Sequence, residues 1–134
     1  MAGSISVSTT KDRAGVVRYA IDWLTDASGD VDTTTFDAMD GTIIQVEFTP
    51  DSGGTQPSNN YDLTILDEHG ADVLNGEGSN LSNTDAEHAV PLIGSGANIN
   101  KRWYHHAGTL QPVVANGGNA KGGITYLYIA PGAM

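Results

Sequence analysis

Gly15-Val-Val-Arg-Tyr-Ala-Ile-Asp-Trp-Leu24, running into Thr25-Asp-Ala-Ser-Gly-Asp30, is an apolar-alternating segment that ends in a turn. In an extended chain successive side chains point to opposite faces, so Val17, Tyr19, Ile21 and Trp23 share one face and Arg18, Ala20 and Asp22 the other. This is the pattern of a half-buried strand with one wet face. The same unit returns at Gly41-Thr-Ile-Ile-Gln-Val-Glu-Phe48, ahead of Thr49-Pro-Asp-Ser-Gly-Gly54. It returns again at Tyr61-Asp-Leu-Thr-Ile-Leu66, ahead of Asp67-Glu-His-Gly70. Short strands at this spacing, bounded by Gly, Asp, Asn and Ser, predict an all-β fold. We expect a single-domain antiparallel β-sandwich, jelly-roll-like, with seven or eight strands.

Outward from these three units the chain reads as more of the same. Ile5-Ser-Val-Ser-Thr9 alternates weakly, so residues 1–14 form an N-terminal arm or edge strand. Asp30-Val-Asp-Thr-Thr-Thr-Phe36 is β-branched and reads as a short strand that turns at 37–41. Residues 51–60 form a long polar loop, and 75–87 a second one with room for a helical turn at 82–87. Between them, Glu68-His-Gly70 turns the chain into Ala71-Asp-Val-Leu74 to complete a hairpin. Pro91 and Pro112 place their segments at an edge, a strand end or a bulge, because proline donates nothing to a ladder. Gly122-Gly-Ile-Thr-Tyr-Leu-Tyr-Ile129 is the closing strand, reached from the preceding one by a hairpin loop at 116–121. The phase of the strands predicts one core of Val17, Tyr19, Ile21, Trp23, Ile44, Val46, Phe48, Leu63, Ile65, Ile124, Tyr126 and Tyr128. In the last strand Thr125, Leu127 and Ile129 are the competing inward row.

The 134 residues suit one domain large enough to bury a two-layer core. Sixteen acidic against six basic residues give a net charge of −10, which argues against nucleic acid and anionic membranes as partners. There is no cysteine, so disulfides and thiolate metal sites are excluded. The first ten residues have no basic region followed by an apolar core, so no signal peptide is expected. No apolar run approaches the ~20 residues that span a bilayer. These features lead to the expectation of a soluble chain made in the cytosol.

Few side chains assemble into anything reactive. Asp26, Ser28, Asp30 and Asp32 offer closely spaced oxygens, but the second bidentate acid and the helical flanks of a calcium loop are missing. A turn whose Asp and Ser side chains bond their own backbone is the simpler expectation. His105 and His106 are neighbours and would point to opposite faces of a strand, which does not suit a shared metal. No nucleophile elbow and no phosphate-binding glycine loop is present. The expectation is therefore a protein without catalytic, metal or cofactor residues. The one basic-aromatic cluster, Lys101-Arg102-Trp103-Tyr104-His105-His106, is the candidate interface, since Arg and Trp are enriched at binding hot spots.

Tyr19-Ala-Ile-Asp-Trp-Leu-Thr-Asp-Ala-Ser-Gly-Asp30, Val46-Glu-Phe-Thr-Pro-Asp-Ser-Gly-Gly54, Tyr61-Asp-Leu-Thr-Ile-Leu-Asp-Glu-His-Gly-Ala-Asp-Val-Leu74 and Gly122-Gly-Ile-Thr-Tyr-Leu-Tyr128 resemble small virion structural proteins of tailed bacteriophages. The resemblance spans about residues 15–130 and rests on strand-and-turn patterns. It implies a non-enzymatic capsid cement or decoration protein, seated on the outside of the head as a homotrimer and clamping capsomers. The implied partners are the major capsid protein and further copies of the chain, with synthesis in the host cytoplasm. A head-tail connector or tail structural protein is the alternative place in the particle, and no residue role carries over. A carbohydrate-binding β-sandwich module is the alternative from another class. It would stack sugars on Trp23, Trp103 and Tyr104, but Trp23 lies in phase with the inward row, which leaves 103–104.

Overall fold

The structure, a computed structural model, describes residues 3–93, 101–105 and 108–132. Among them are eleven strands: β1 (Ser4–Lys11), β2 (Val17–Leu24), β3 (Phe36–Ala38), β4 (Gly41–Pro50), β5 (Asp62–Leu66), β6 (Glu87–Ala89), β7 (Leu92–Ile93), β8 (Lys101–Arg102), β9 (Tyr104–His105), β10 (Gly108–Ala115) and β11 (Gly122–Pro131). One antiparallel sheet has the order β1-β2-β11-β4-β6, with β9 also on β4; a second has the order β3-β10-β5. The two form an antiparallel β-sandwich, and β7 with β8 makes a separate two-stranded ribbon. From β2 to β6 the chain changes sheet at every strand.

The core lies between the sheets. Tyr19, Ile21 and Trp23 of β2, Val46 and Phe48 of β4, and Leu63 and Ile65 of β5 are buried as their phase predicts. Leu110 and Val114 of β10 face them from the second sheet. Tilted aromatic pairs, Trp23 on Tyr61 and Tyr19 on Phe36, each with ring centroids 5.4 Å apart, tie the layers together.

Five core expectations are corrected. Tyr128 pairs with Gln45 but Ile129 pairs with Ile43, so Ile44 is a bulge residue without a partner across the ladder. The extra residue flips the phase of the strand start: Ile43 is fully buried and Ile44 only half-buried. In β11 the inward row is Thr125, Leu127 and Ile129, which leaves Ile124, Tyr126 and Tyr128 half-buried on the outside. Val17 is also half-buried, packed against the margin of the core.

Several connections differ from expectation as well. The strand expected over 30–36 forms later, at Phe36–Ala38. Residues 71–81 do not complete a ladder. They run irregularly along β5, joined by bonds from the Val73 N–H to the Ile65 carbonyl, from Leu63 to Gly78, and from Leu81 to Tyr61. Val73, Leu74 and Leu81 are nonetheless buried. The segment 82–87 has no helical turn; a 3-10 turn stands instead at Gly53–Thr55. Residues 116–121 do not close a hairpin, because β10 and β11 belong to different sheets. Pro91 falls between β6 and β7, and Pro112 where β10 is paired on one side only, since β3 reaches no further than Leu110.

The turns follow a common chemistry. In Asp12-Arg-Ala-Gly15, Asp26-Ala-Ser-Gly29 and Asp67-Glu-His-Gly70 the aspartate carbonyl accepts the glycine N–H. One carboxylate oxygen accepts the N–H groups two and four residues on. The glycines sit at φ 83–89°. This is a type I turn closed by a left-handed residue. Oδ1 and the backbone carbonyl of Asp26 are thus engaged by its own turn.

Candidate functional site

The segment 101–106 is divided by the fold. Lys101 and Arg102 are exposed on β8, paired with Ile93 and Leu92. Trp103 is half-buried, packs against the core, and accepts the Ile43 N–H on its carbonyl at 2.9 Å. Tyr104 and His105 form β9 on the start of β4, with Tyr104 half-buried and His105 only 4% exposed. His106 lies outside the described residues.

Trp103, Tyr104 and His105 line a cleft of about 230 Å³ together with Asp67, Glu68 and His69 of the turn after β5. The Tyr104 hydroxyl bonds the Asp40 carboxylate, which raises its pKa. One ring nitrogen of His105 faces the Ala38 carbonyl, while Nε2 is buried with no hydrogen-bond partner. Burial lowers the pKa of this imidazole, against the opposing pull of the Ala38 carbonyl and of Glu68, Asp40 and Asp67. Burial thus favours the neutral form of the ring. Among the described residues no group of three or more His, Asp or Glu side chains is arranged to hold a metal ion.

A second surface is the outer face of the large sheet, and sequence phase did not find it. Reading across the register, Thr10, Arg18, Tyr128 and Gln45 form one row, and Ser8, Ala20, Tyr126, Glu47 and His88 the next. Ile124 continues the tyrosine column. The Arg18 guanidinium lies 4.9 Å from the Tyr126 ring centroid, a cation–π contact, and its Nε is buried without a partner. Gln45 and Glu47 both reach His88, at 3.3 Å and 3.6 Å. A shallow depression of about 260 Å³ opens beside Arg18 and Tyr128, bounded by Thr10, Asp12 and Val16.

The signal for this face was present in the sequence as the competing inward row Thr125, Leu127 and Ile129. With that row inside, the tyrosines must point out. Both surfaces offer planar aromatic area beside fixed polar groups, which is the chemistry of contact. Comparison with protein-family models, with curated proteins and with solved structures gave no match to this chain.

Proposed function

We propose that this chain is a non-enzymatic virion structural protein of a tailed bacteriophage, a capsid cement protein that lays the outer face of its large sheet on the head. The observation that carries this reading is the outward column Ile124, Tyr126 and Tyr128, flanked by Arg18 and spread over a broad sheet. Half-exposed aromatics beside an arginine are the composition of an interface centre. Lys101 and Arg102, exposed on the β7–β8 ribbon, supply a separate basic contact. The partners are the major capsid protein and further copies of the chain, and three copies around an axis multiply a modest patch through avidity. The jelly-roll form belongs to the same reading. It is supported by the β2-β11-β4-β6 and β3-β10-β5 orders, by the passage between sheets, and by residues 71–81 covering the free side of β5.

Cosedimentation with undecorated heads tests the proposal. The protein should pellet with heads at micromolar concentration, and Tyr126→Ala with Tyr128→Ala should weaken binding about tenfold or more, as expected for central aromatic contacts. Arg102→Ala is the cleaner test of the ribbon, because Trp103 packs on the core and its truncation would also destabilise the fold. The outward tyrosines equally favour a second reading, a carbohydrate-binding module that stacks sugars on Tyr126 and Tyr128. No binding to heads, combined with binding on a glycan array, would establish that reading instead.

A further inference from the structure

We propose that the free edge of β1 pairs with β1 of a second copy of this chain, antiparallel about a twofold axis at Val7. The large sheet then runs on through both copies. β1 stands at the outer end of its sheet and is paired on one side only, with β2. Among the described residues no backbone hydrogen bond joins it to any other segment. Alternate N–H and C=O groups along its eight residues therefore face outward, a template for one more strand.

The other edges of the fold are protected and this one is not. β5 is covered by residues 71–81, and β3, β6 and β9 are three residues long or shorter. β1 has neither proline nor bulge, and its register with β2 runs unbroken from Ser4 to Lys11. It carries no charge before Lys11, its last residue. Short length, proline, bulges and inward charges are what keep strand edges apart, and β1 lacks them.

Charge says which strand fits this edge. The chain has sixteen acidic residues, yet Ser4-Ile-Ser-Val-Ser-Thr-Thr-Lys11 contains none. Two copies at −10 repel one another elsewhere on their surfaces, whereas two β1 edges bring no carboxylates together. Side-chain phase then sets the register. Ile5 and Val7 lean on the core, and Ser4, Ser6 and Ser8 point outward. An axis through Val7 keeps the inner rows of both copies on one face. Val7 then meets its own copy, Ile5 meets Thr9, Ser6 meets Ser8 and Ser4 meets Thr10.

The same register sets Lys11 opposite Gly3 of the second copy. A Cβ on Gly3 would stand 2.6 Å from the Asp30 carbonyl oxygen and 3.1 Å from the Asp32 nitrogen, so Gly3 marks the path of this acidic segment. Lys11 is thereby brought beside Asp30 and Asp32 of the other copy. All three are exposed, and none has an ion pair within its own copy among the described residues. By symmetry the attraction occurs twice.

A twofold contact of this kind is separate from any threefold contact made on a head, so it is tested on the purified chain without heads. Sedimentation velocity should show wild-type chains associating reversibly into pairs below about 1 mM. Two variants probe the edge: Ser6→Glu with Ser8→Glu, and Ser6→Lys with Ser8→Lys. Each sets two like-charge pairs across the axis and should weaken association about fivefold or more. The lysine variant also lowers the net charge, so a non-specific attraction would grow stronger instead. Mixed together, the two variants should pair again, because each cross-strand pair is then Glu with Lys. Hydrogen exchange of the wild-type chain needs no variant: alternate β1 amides should slow as concentration rises, while those of β6 stay unchanged. A wild-type chain that stays single up to about 1 mM, with β1 exchange independent of concentration, would overturn the proposal. So would association that both charge variants keep, or mixed variants that retain the native circular dichroism and do not pair. If the charge variants lose head binding while the wild-type chain stays single, the edge belongs to a capsid strand and the proposal fails.

Discussion

Ile43 and Ile44 are chemically identical neighbours in one strand, yet only one of them belongs to the core. Ile43 is fully buried and Ile44 is the bulge residue, so Ile43→Ala should cost about 2–5 kcal/mol and Ile44→Ala much less. Urea unfolding of the two variants measures the difference, and equal losses would mean that the bulge is misplaced. His105 illustrates burial acting on a charge. Its pKa in the fold lies below the ordinary imidazole value, so as pH falls the unfolded chain takes up the proton first. The unfolded state then binds more protons, and stability drops with pH from about 6.5 until the folded imidazole also titrates. Stability measured between about pH 7.5 and 5.5 should show this slope, and His105→Gln should flatten it. Asp26 was fully legible in the sequence, because a turn that bonds its own carboxylate needs nothing beyond five residues. His105 was not. Its burial comes from β4 and from the turn after β5, which the adjacent sequence does not mention.

At the level of elements, the three Asp-x-x-Gly turns share geometry but not surroundings. Gly70 has φ +83° with open space where a Cβ would stand, whereas a Cβ on Gly29 would come within 3.0 Å of the Gly118 nitrogen. Gly70→Ala should therefore cost about 1–2 kcal/mol, the strain of a left-handed L-residue, and Gly70→Asn less. Gly29→Ala adds a backbone collision to the same strain and should cost more. Thermal melts of the three variants give the ranking, and a harmless Gly29→Ala would refute the contact. Strand phase was legible wherever one face is apolar and the other charged, as in β2 and the second half of β4. It failed in β11, where both rows are apolar or aromatic: Ile124, Tyr126 and Tyr128 on one side, Leu127 and Ile129 on the other. A central strand is covered along both edges, and here only the position of the second sheet decides which row goes in. The glycine-rich segment 116–121 misled for a related reason, since loop chemistry reports a reversal of the chain but not which sheet it enters.

On the scale of the whole molecule, the two sheets are closed against each other at Thr25. This residue is fully buried at the end of β2, and its hydroxyl donates to the Gly118 carbonyl at 2.5 Å and accepts the Lys121 N–H at 2.9 Å. The Thr25 backbone N–H bonds the Lys121 carbonyl as well, so the β10–β11 crossing is fastened to the first sheet by one side chain and its own peptide. Thr25→Val keeps the shape and removes the hydroxyl. It should cost about 1–3 kcal/mol in urea unfolding by leaving buried groups unpaired, and a neutral result would show the latch to be idle. That crossing delivers β11 to the centre of the large sheet, between β2 and β4. The order of synthesis therefore runs against the order of assembly. When a ribosome has translated as far as Lys121, β2 and β4 have emerged but have no strand to join them, and both expose apolar edges. The sheet closes only after Pro131 has been made, so its closure waits for β11 and is largely all-or-none. Until then the nascent chain depends on its many carboxylates, rather than on its fold, to stay apart from its neighbours.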